Sequence, residues 1–314
     1  MTNPQPACSI VIPVYNSEGI LGDTIDRTVK VCEDSGIVYE LILVNDGSRD
    51  GSWEIASERA AENPKIIAVD LLKNYGQHTA VFAGLRLSRG RYVITMDDDL
   101  QNPPEEIGPI LAKAEAEQLD LVIGKFHEKR HSLTRRLGSR VVGWMNTKVF
   151  DKPKDLVLTN FRCIRRDVVD RMVAYQTAYP YVTGLALMFS RRRANLMVEH
   201  HDRAVGESGY SLAKIASVVF RIMFNYSSFP LRVVSGWGLI ITAGAFAATA
   251  VIFVRAIVVG TTVPGWTSVA LMVTFLNGVM LLITSMLGEY VVRLLNQSSE
   301  PHGYHIREIV GGDA

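Results

Sequence analysis

The chain has few cysteines and almost no net charge, and both shortages exclude classes of function. Its 314 residues include three cysteines, Cys8, Cys32 and Cys163, which do not have the spacing of metal ligands. Scattered cysteines of this kind are typical of buried apolar positions in a reducing compartment, so we assign them no chemistry. The 33 basic residues balance 32 acidic ones, for a formal net charge of +1. Because this balance gives no general attraction to nucleic acid, we expect no nucleic-acid partner.

Two glycine-rich nucleotide-binding motifs are also absent. Neither G-x-G-x-x-G nor G-x-x-x-x-G-K-[ST] follows the first apolar run, at residues 9–15. A dinucleotide-dependent dehydrogenase and a P-loop ATPase therefore have no support. Residues 1–6 are polar and contain proline, so we expect no signal peptide.

Charged residues are missing from two long segments near the carboxyl end, residues 233–254 and 267–288. Each segment is long enough to cross a hydrocarbon core of about 30 Å at about 1.5 Å per residue. We expect two transmembrane helices joined by a short hairpin, although two helices buried in a soluble core are an alternative. Arginines are more frequent outside the pair than in the hairpin, which predicts that both termini are cytoplasmic. A transporter is disfavoured because the spans carry no charge.

The first two thirds of the chain have the pattern of an α/β sheet. Apolar runs that predict strands occur at residues 9–15, 40–45, 66–71, 92–96 and 119–123. Segments of helical character occur at residues 51–62, 77–88 and 104–117. Strands that are apolar throughout and alternate with helices predict a parallel sheet that is covered on both faces. Ligands of such sheets bind beyond the carboxyl ends of the strands.

Three carboxylates follow the predicted strand at residues 92–96. Strand alternation places Asp97 and Asp99 on one side, with Gln101 within reach, while Asp98 turns away. Carboxylate and amide oxygens suit Mg²⁺ or Mn²⁺, and such a cation usually takes further ligands from substrate phosphates. The alternative is an acidic turn that caps the next helix.

A second polar cluster follows the strand at residues 40–45. Asp46 can accept a hydrogen bond from the imide nitrogen of a uracil, and Gly47 allows the backbone to approach a ligand closely. The same residues also form ordinary turns, which is the alternative for this motif.

Together, three motifs resemble those of family 2 glycosyltransferases with the GT-A fold. They are Pro13-Val14-Tyr15-Asn16, Asp46-Gly47-Ser48 with Asp50, and Asp97-Asp98-Asp99-Leu100-Gln101. With the two apolar segments, the chain is similar to the polyprenyl-phosphate glycosyltransferases, the group of dolichyl-phosphate mannose synthase, bactoprenol glucosyltransferases and the undecaprenyl-phosphate aminoarabinose transferase. The resemblance extends over about residues 8–295 and implies a Rossmann-like, mainly parallel sheet.

The resemblance also implies roles for individual residues. A divalent cation, Mg²⁺ or Mn²⁺, would bind at Asp97, Asp99 and Gln101. The donor nucleotide would contact Pro13, Tyr15, Asn16, Asp46, Gly47 and Ser48. Further substrate contacts would come from Lys125, Arg130, Arg140 and Asn160, and Arg136 and Arg203 would act beside the phosphates with Asp97 and Asp99. Relatives that transfer glucose tend to have a carboxylate at the position of Asn160, for which Asp155 is the nearby alternative.

The implied reaction transfers a sugar from a UDP-sugar to polyprenyl (undecaprenyl) phosphate with inversion, for cell-envelope or lipopolysaccharide modification. The sugar, glucose or a related or modified hexose or pentose, stays open. A phosphate monoester has a second pKa of about 6, so the acceptor is deprotonated at neutral pH and needs no general base. The basic stretch around Arg136 and Arg140 would hold this acceptor or touch anionic lipid headgroups.

The implied organisation has four parts. They are a cytoplasmic GT-A catalytic domain at residues 1–208, amphipathic interfacial helices at 209–230, two transmembrane helices within 231–295, and a polar, mobile cytoplasmic tail at 296–314. The amphipathic segment has a core helix of the first domain as its alternative. A multi-pass protein of the inner membrane is expected, as is a homo-oligomer, which is a tetramer in resembling proteins.

Two other functions remain as rivals. A processive or other family 2 polysaccharide synthase shares the aspartates, but the Gln-x-x-Arg-Trp motif of the processive enzymes is absent, since no tryptophan follows an arginine. A catalytically silent membrane scaffold has no need of the like-charge repulsion between Asp97 and Asp99.

Overall fold

The structure, a computed structural model, describes most of the first two thirds of the chain and part of its carboxyl end. The described residues are 5–126, 133–175, 177, 179–199 and 303–312, with scattered positions between 219 and 294; side chains are described from residue 142 onwards in the helix that begins at 133. The chain forms two compact units. One contains Met1–Val219 together with His302–Ala314, and the other contains Phe220–Pro301.

An eight-stranded sheet is the centre of the first unit. Its strands are β1 (Cys8–Val14), β2 (Tyr39–Asn45), β3 (Ile66–Leu71), β4 (Tyr92–Thr95), β5 (Leu121–Phe126), β6 (Arg162–Arg165), β7 (Arg193–Val198) and β8 (Ile306–Val310). They lie in the order β7-β5-β6-β4-β1-β2-β3-β8.

The sheet is mainly parallel. Strands β4, β1, β2 and β3 are parallel neighbours, as are β5 and β7. Strand β6 runs antiparallel to both β4 and β5, and β8 runs antiparallel to β3. The predicted α/β architecture is confirmed, whereas β6, β7 and β8 were not predicted. Strands β6 and β8 are short and carry two charged residues each, and β7 follows directly on two further arginines.

Helices cover both faces of this sheet. They are α1 (Glu18–Asp34), α2 (Ser52–Glu62), α3 (Gln77–Leu87), α4 (Ile107–Ala116), α5 (Leu133–Phe150), α6 (Arg166–Ala174) and α7 (Val182–Phe189), with a 3-10 turn at Pro104–Glu106. The three predicted helical segments correspond to α2, to α3, and to the 3-10 turn with α4.

Alternate residues of β1 and β2 pack against different layers. Ile10 and Leu41 belong to a core cluster that also contains Leu21 of α1. On the other face, Gly84 of α3 lies so close that a Cβ atom would come 3.2 Å from Val44 Cγ2. The close packing on both faces explains why these strands are apolar throughout. Cys8, Cys32 and Cys163 are buried, free thiols, as expected from the sequence.

The carboxyl-terminal tail differs from its prediction. Residues 296–314 were expected to be polar and mobile, yet Ile306–Val310 form β8 on the outer edge of β3. Three of its five residues, Ile306, Ile309 and Val310, are β-branched and favour a strand. The added strand pairs the backbone groups of the β3 edge, which would otherwise be open.

The second unit is described only at scattered positions, and these are helical except for Gly265. Most of the predicted span at 233–254 and most of the predicted interfacial helices at 209–230 lie outside the described residues. Nine of the 22 residues of the second predicted span, 267–288, lie outside them as well. Among the residues that are described, no helix combines the length and the apolar character needed to cross a membrane.

Candidate active site

The loops that follow β1 and β2 are joined by hydrogen bonds at the carboxyl edge of the sheet. The pairing of Val14 with Asn45 brings the two loops together. The Asn16 N–H donates to Ser48 Oγ at 3.0 Å, and Asn16 Oδ1 accepts from the Arg49 N–H at 2.9 Å. Asn16 adopts a left-handed backbone with φ of 52°, which asparagine tolerates better than most residues. The motifs at Asn16 and Asp46 therefore form one continuous surface.

Asp46 fixes the loop between β3 and α3. Its side chain accepts hydrogen bonds from the Tyr75 N–H at 2.7 Å and the Gly76 N–H at 2.9 Å. Burial raises its pKa, although these two hydrogen bonds act in the opposite direction. Each carboxylate oxygen can accept a second hydrogen bond, and the contact of Asp46 with a uracil stays a prediction.

No residue other than glycine fits at position 47 without strain. Its φ is +67°, and a Cβ atom would lie 2.6 Å from Asn74 N and 2.7 Å from Lys73 C. Both the left-handed backbone and the close approach of the neighbouring loop require glycine here. The turn that carries Asp46 is thus packed directly on residues 73 and 74.

Asp97 lies at the end of β4 among amide groups. Its Oδ1 accepts hydrogen bonds from Gln77 Nε2 at 2.5 Å and Asn160 Nδ2 at 3.4 Å. Burial and, after it, the charge of Asp99 raise the pKa of Asp97 to about 6. The ionised form of Asp97 is therefore energetically disfavoured in the folded protein.

Asp98 has a role that the sequence did not reveal. Its carboxylate accepts hydrogen bonds from the Tyr15 N–H at 3.3 Å and from the Ser17 hydroxyl. Its carbonyl oxygen accepts from Thr24 Oγ1 at 3.0 Å. Asp98 turns away from Asp97, as alternation predicts, and ties the end of β4 to the loop before α1. In the sequence, the only indication of this role is a hydroxyl donor, Ser17, in the loop before α1.

The turn after Asp99 has an unusual backbone. Asp99 Oδ1 accepts the Gln101 N–H at 3.2 Å, and Leu100 between them has a φ of 55°. A left-handed conformation costs a residue with a side chain roughly 1–2 kcal/mol. This turn keeps Asp99 beside Asp97 despite their like charges.

Asp97 and Asp99 fit a divalent cation that is completed by a substrate. Within the described ranges, no group of three or more His, Cys, Asp or Glu side chains forms a potential metal cage. Two neighbouring carboxylates remain, and the mutual repulsion that raises the pKa of Asp97 is the interaction that a cation would reverse. Mg²⁺ sites commonly consist of one or two carboxylates with the remaining ligands from phosphates and water.

A small cavity opens beside Asp97. Its lining consists of Gln77, His78, Val81, Thr95, Met96, Asp97, Asn160, Arg162 and Val182. Arg162 is 3% exposed and donates to Thr183 Oγ1 at 3.0 Å and to Asn160 Oδ1 at 3.1 Å. Because Asn160 in turn donates to Asp97, it bridges a buried guanidinium and a carboxylate. Burial lowers the pKa of Arg162 to about 10, which leaves it cationic at neutral pH.

His78 adds a neutral ring to the cavity wall. Its ring meets those of Tyr181 and Tyr179 edge to face, with centroids 5.1 and 6.1 Å away. Burial, with the nearby charge of Arg162, lowers the pKa of His78 to about 4. Sequence reasoning did not assign Gln77, His78 or Arg162 to the site; only Arg162 had a signal, since it lies two residues after Asn160.

The remaining predicted residues differ in where they lie: some are near the site, some are away from the cavity, and some are outside the described part of the chain. Pro13 lies in β1, Tyr15 is exposed beside Asp98, and Lys125 lies in β5 without lining the cavity. Arg136 and Arg140 lie in α5, but their side chains are outside the described part, as are all atoms of Arg130 and Arg203. Asp155 is exposed and does not line the cavity, so the structure gives no support for it as a replacement for the carboxylate missing at Asn160.

Comparison with known proteins identifies relatives along almost the whole chain. Residues 9–173 match glycosyl transferase family 2. The undecaprenyl-phosphate 4-deoxy-4-formamido-L-arabinose transferase of Proteus mirabilis is 34% identical over 307 residues, covering 96% of this chain and 94% of that protein. The enzyme of the same name from Salmonella paratyphi B is 32% identical over 314 residues, covering 98% and 94%.

Solved structures share the fold of about 70% of the chain. Glucosyl-3-phosphoglycerate synthase from Mycobacterium tuberculosis, crystallised with Mn²⁺, UDP and phosphoglyceric acid, matches with a TM-score of 0.52 and 18% identity over 70% of this chain and 76% of that one. A complex of the same enzyme with UDP-glucose matches with a TM-score of 0.51 and 17% identity, over 70% and 78%. At these identities the likeness concerns the fold, which is therefore GT-A-like. The chain belongs to glycosyl transferase family 2, is a glycosyltransferase, and has polyprenyl-phosphate glycosyltransferases as its sequence relatives.

Proposed function

We propose that this protein transfers a sugar from a UDP-sugar to undecaprenyl phosphate with inversion at the anomeric carbon. The observation that carries the proposal is the position of the cavity beside Asp97. It lies next to the predicted cation ligands and close to the Asp46 turn, so a donor could place its uracil at Asp46, its diphosphate at Asp97 and Asp99, and its sugar at the mouth of the cavity. The relatives use undecaprenyl phosphate by name.

Asp97 and Asp99 would hold the divalent cation with Gln101. When bound, Mg²⁺ or Mn²⁺ acts as a Lewis acid that offsets the negative charge growing on a departing diphosphate. Glucosyl-3-phosphoglycerate synthase, which shares the fold, was crystallised with Mn²⁺. This supports a divalent cation in the present protein but does not distinguish Mg²⁺ from Mn²⁺. Asp98 keeps the two ligands in place by tying their turn to the loop before α1.

The uncharged polar groups of the cavity lining suit a sugar with neutral polar substituents, because the two charged groups of the lining, Asp97 and Arg162, are already joined through Asn160. Gln77, Asn160 and Thr95 offer amide and hydroxyl groups, and His78 is neutral at pH 7 because its pKa is lowered to about 4. The sugar named for the relatives, 4-deoxy-4-formamido-L-arabinose, carries a neutral formamide. We therefore put the UDP derivative of this pentose first among the candidate donors.

The acceptor supplies its own nucleophile. The second pKa of a phosphate monoester is about 6, so one of its oxygens carries the attacking electron pair at neutral pH. This oxygen forms the new bond to the anomeric carbon as the bond to UDP breaks. No proton has to be removed, and Asn160, which cannot act as a base, is therefore acceptable in the cavity wall. Arg136 and Arg140, four residues apart on α5, are candidates to hold the lipid phosphate.

A lipid acceptor requires access to a bilayer, and the second unit has suitable side chains. Large apolar residues are exposed at many of its described positions, among them Trp237, Ile240, Val254, Val258, Val269, Met280 and Leu294. Water disfavours such a surface, whereas lipid does not. We place the protein in the inner membrane as a multi-pass protein with spans at 233–254 and 267–288, with the first unit and both termini in the cytoplasm.

A transfer assay tests this function. Purified full-length protein with undecaprenyl phosphate and Mg²⁺ or Mn²⁺ is supplied with radiolabelled UDP-glucose, UDP-N-acetylhexosamines and the UDP-formamidoarabinose. Label is expected in the lipid fraction with one of these donors, most strongly with the formamidoarabinose. A GDP-sugar is tested in parallel, and transfer only from it would overturn the uridine assignment at Asp46. No transfer to lipid from any donor would contradict the proposed function.

A further inference from the structure

One chain of polar contacts leads from the carboxyl-terminal strand β8 to the turn that carries Asp46. Arg307 Nη2 lies 2.5 Å from Asp70 Oδ2, and Asp70 Oδ1 accepts a hydrogen bond from Asn45 Nδ2 at 2.6 Å. Asn45 Oδ1 in turn accepts the Ser48 N–H at 3.3 Å. These contacts connect the last strand of the sheet with the residues on both sides of Asp46 and Gly47.

An irregularity in the strand pairing directs Arg307 to this place. Leu71 pairs with Ile306 and Asp70 with Glu308, so Arg307 is an extra residue opposite the two. An extra residue of this kind changes the direction of a side chain in an otherwise alternating strand. The partner is a carboxylate that is 1% exposed, in a residue of β3 that faces the buried Asn45.

Asp70 depends on the charge of Arg307. Its Oδ2 accepts no hydrogen bond of acceptable geometry among the described residues, although the guanidinium of Arg307 is in contact with it. A buried carboxylate that loses its cationic partner is strongly disfavoured. Loss of Arg307 would therefore shift Asp70 toward water and disturb its hydrogen bond with Asn45.

A second chain of contacts starts two residues earlier. The His305 carbonyl oxygen accepts the Leu72 N–H at 2.9 Å, and the His305 N–H donates to the Tyr75 hydroxyl at 3.3 Å. Tyr75 and Gly76 then donate their backbone N–H groups to Asp46. The carboxyl-terminal segment thus holds the loop between β3 and α3 from outside, and Asp46 holds it from inside.

We propose that the carboxyl-terminal segment at residues 305–307 positions the nucleotide site, with Arg307 as its main positioning residue. It sets the turn at residues 45–48 and the loop at 72–76 against each other, and donor affinity depends on their alignment. The inference rests on the proposed function, since it takes the Asp46 turn as the place where the nucleotide binds. The alignment of the donor site therefore depends on residues that follow the whole second unit in sequence.

Calorimetric titration of the full-length protein in detergent, with UDP and Mn²⁺, tests this inference. Arg307→Met is expected to raise the Kd for UDP about tenfold or more. Arg307→Met combined with Asp70→Asn removes the uncompensated buried charge and is expected to return the Kd to within about threefold of wild type. The control Glu308→Gln changes the adjacent exposed residue and is expected to leave the Kd unchanged.

A purely structural role for β8 gives a different result. It would lower the unfolding temperature of Arg307→Met but leave the Kd, measured well below that temperature, at the wild-type value, and this would overturn the inference. If Arg307→Met does not fold, Arg307→Lys and Tyr75→Phe decide. Each is expected to raise the Kd about threefold, and wild-type values in both would also overturn it.

The same titrations separate this inference from the proposed function. A wild-type protein that does not bind UDP in the presence of Mn²⁺ would contradict both. A wild-type protein that binds UDP, together with an equally tight Arg307→Met variant, would contradict the positioning role alone.

Discussion

At the scale of single residues, the three consecutive aspartates have different surroundings and therefore different roles. Asp97 lines the cavity, Asp99 adds a second charge beside it, and Asp98 faces the opposite way and holds the loop before α1. A sequence pattern indicates that carboxylates are present but does not show which of them has hydrogen-bond donors. Substitutions should separate the roles.

Asp99→Asn should abolish transfer and raise stability. The substitution removes a metal ligand and, at the same time, the like charge that raises the pKa of Asp97. In chelator, the unfolding temperature of the variant should exceed that of wild type, while sugar transfer with added Mn²⁺ should fall at least about 100-fold. Asp23→Asn, an exposed change in α1, is the control. Wild-type activity in Asp99→Asn would refute the metal assignment.

Asp97 should make the metal-free protein less stable as the pH rises. Its pKa in the folded state is raised from 3.8 to about 6, so between these values the folded state binds more protons than the unfolded state. The protonated carboxyl of Asp97 therefore contributes to the free energy of unfolding below about pH 4, and this contribution is lost as the pH rises through about 6. The difference in unfolding temperature between Asp97→Asn and wild type, measured in chelator, should grow over this interval. A constant difference would contradict the assigned pKa.

Asp98→Ala should lower stability, in contrast to Asp99→Asn. It leaves the Tyr15 N–H and the Ser17 hydroxyl without their acceptor. The free energy of unfolding should fall by about 1–3 kcal/mol, the usual cost of unpaired groups. Ser17→Ala removes one of the two donors and should cost less. Denaturant titration measures both changes, and an Asp98→Ala variant as stable as Asp99→Asn would show that Asp98 does not tie the loops.

At the scale of elements, the site depends on how closely the turn after β2 packs on the loop after β3. Gly47→Ala should lower both stability and UDP affinity, because its φ is +67° and its Cβ would lie 2.6 Å from Asn74 N. Gly36→Ala is a matched control: its φ is +63°, but nothing lies within 4 Å of the added Cβ. Both variants should lose about 1–2 kcal/mol of stability from strain. Only Gly47→Ala should also weaken UDP binding; equal affinities in the two variants would contradict the close packing.

The elements also show what the sequence could and could not predict. Strands β1 to β4 are continuous apolar runs, because helices cover both faces, and such runs are visible without a structure. Strand β8 is five residues long with two charges, and its pairing with β3 spans more than half the chain, so no local pattern indicates it. Arg162 and His78 were missed for a related reason: the cavity is assembled from α3, β4, β6 and α7, which are distant in sequence.

At the scale of the whole molecule, an enzyme for a lipid acceptor has to reach the bilayer. The charge-free segments and the exposed apolar side chains of the second unit support membrane insertion. The protein should therefore stay in the membrane pellet after washes with high salt and alkaline carbonate, and leave it only with detergent. Release by carbonate would contradict the two proposed spans.

In the proposed reaction, the lipid phosphate attacks the anomeric carbon directly. The cavity wall offers the amide of Asn160, which cannot form a covalent sugar intermediate, and the carboxylate beside it, Asp97, is assigned to the cation. The anomeric configuration of the lipid-linked product, determined by NMR after transfer from a donor of known configuration, tests this claim most directly. Inversion is the predicted result, and retention of the donor's configuration would contradict a single displacement.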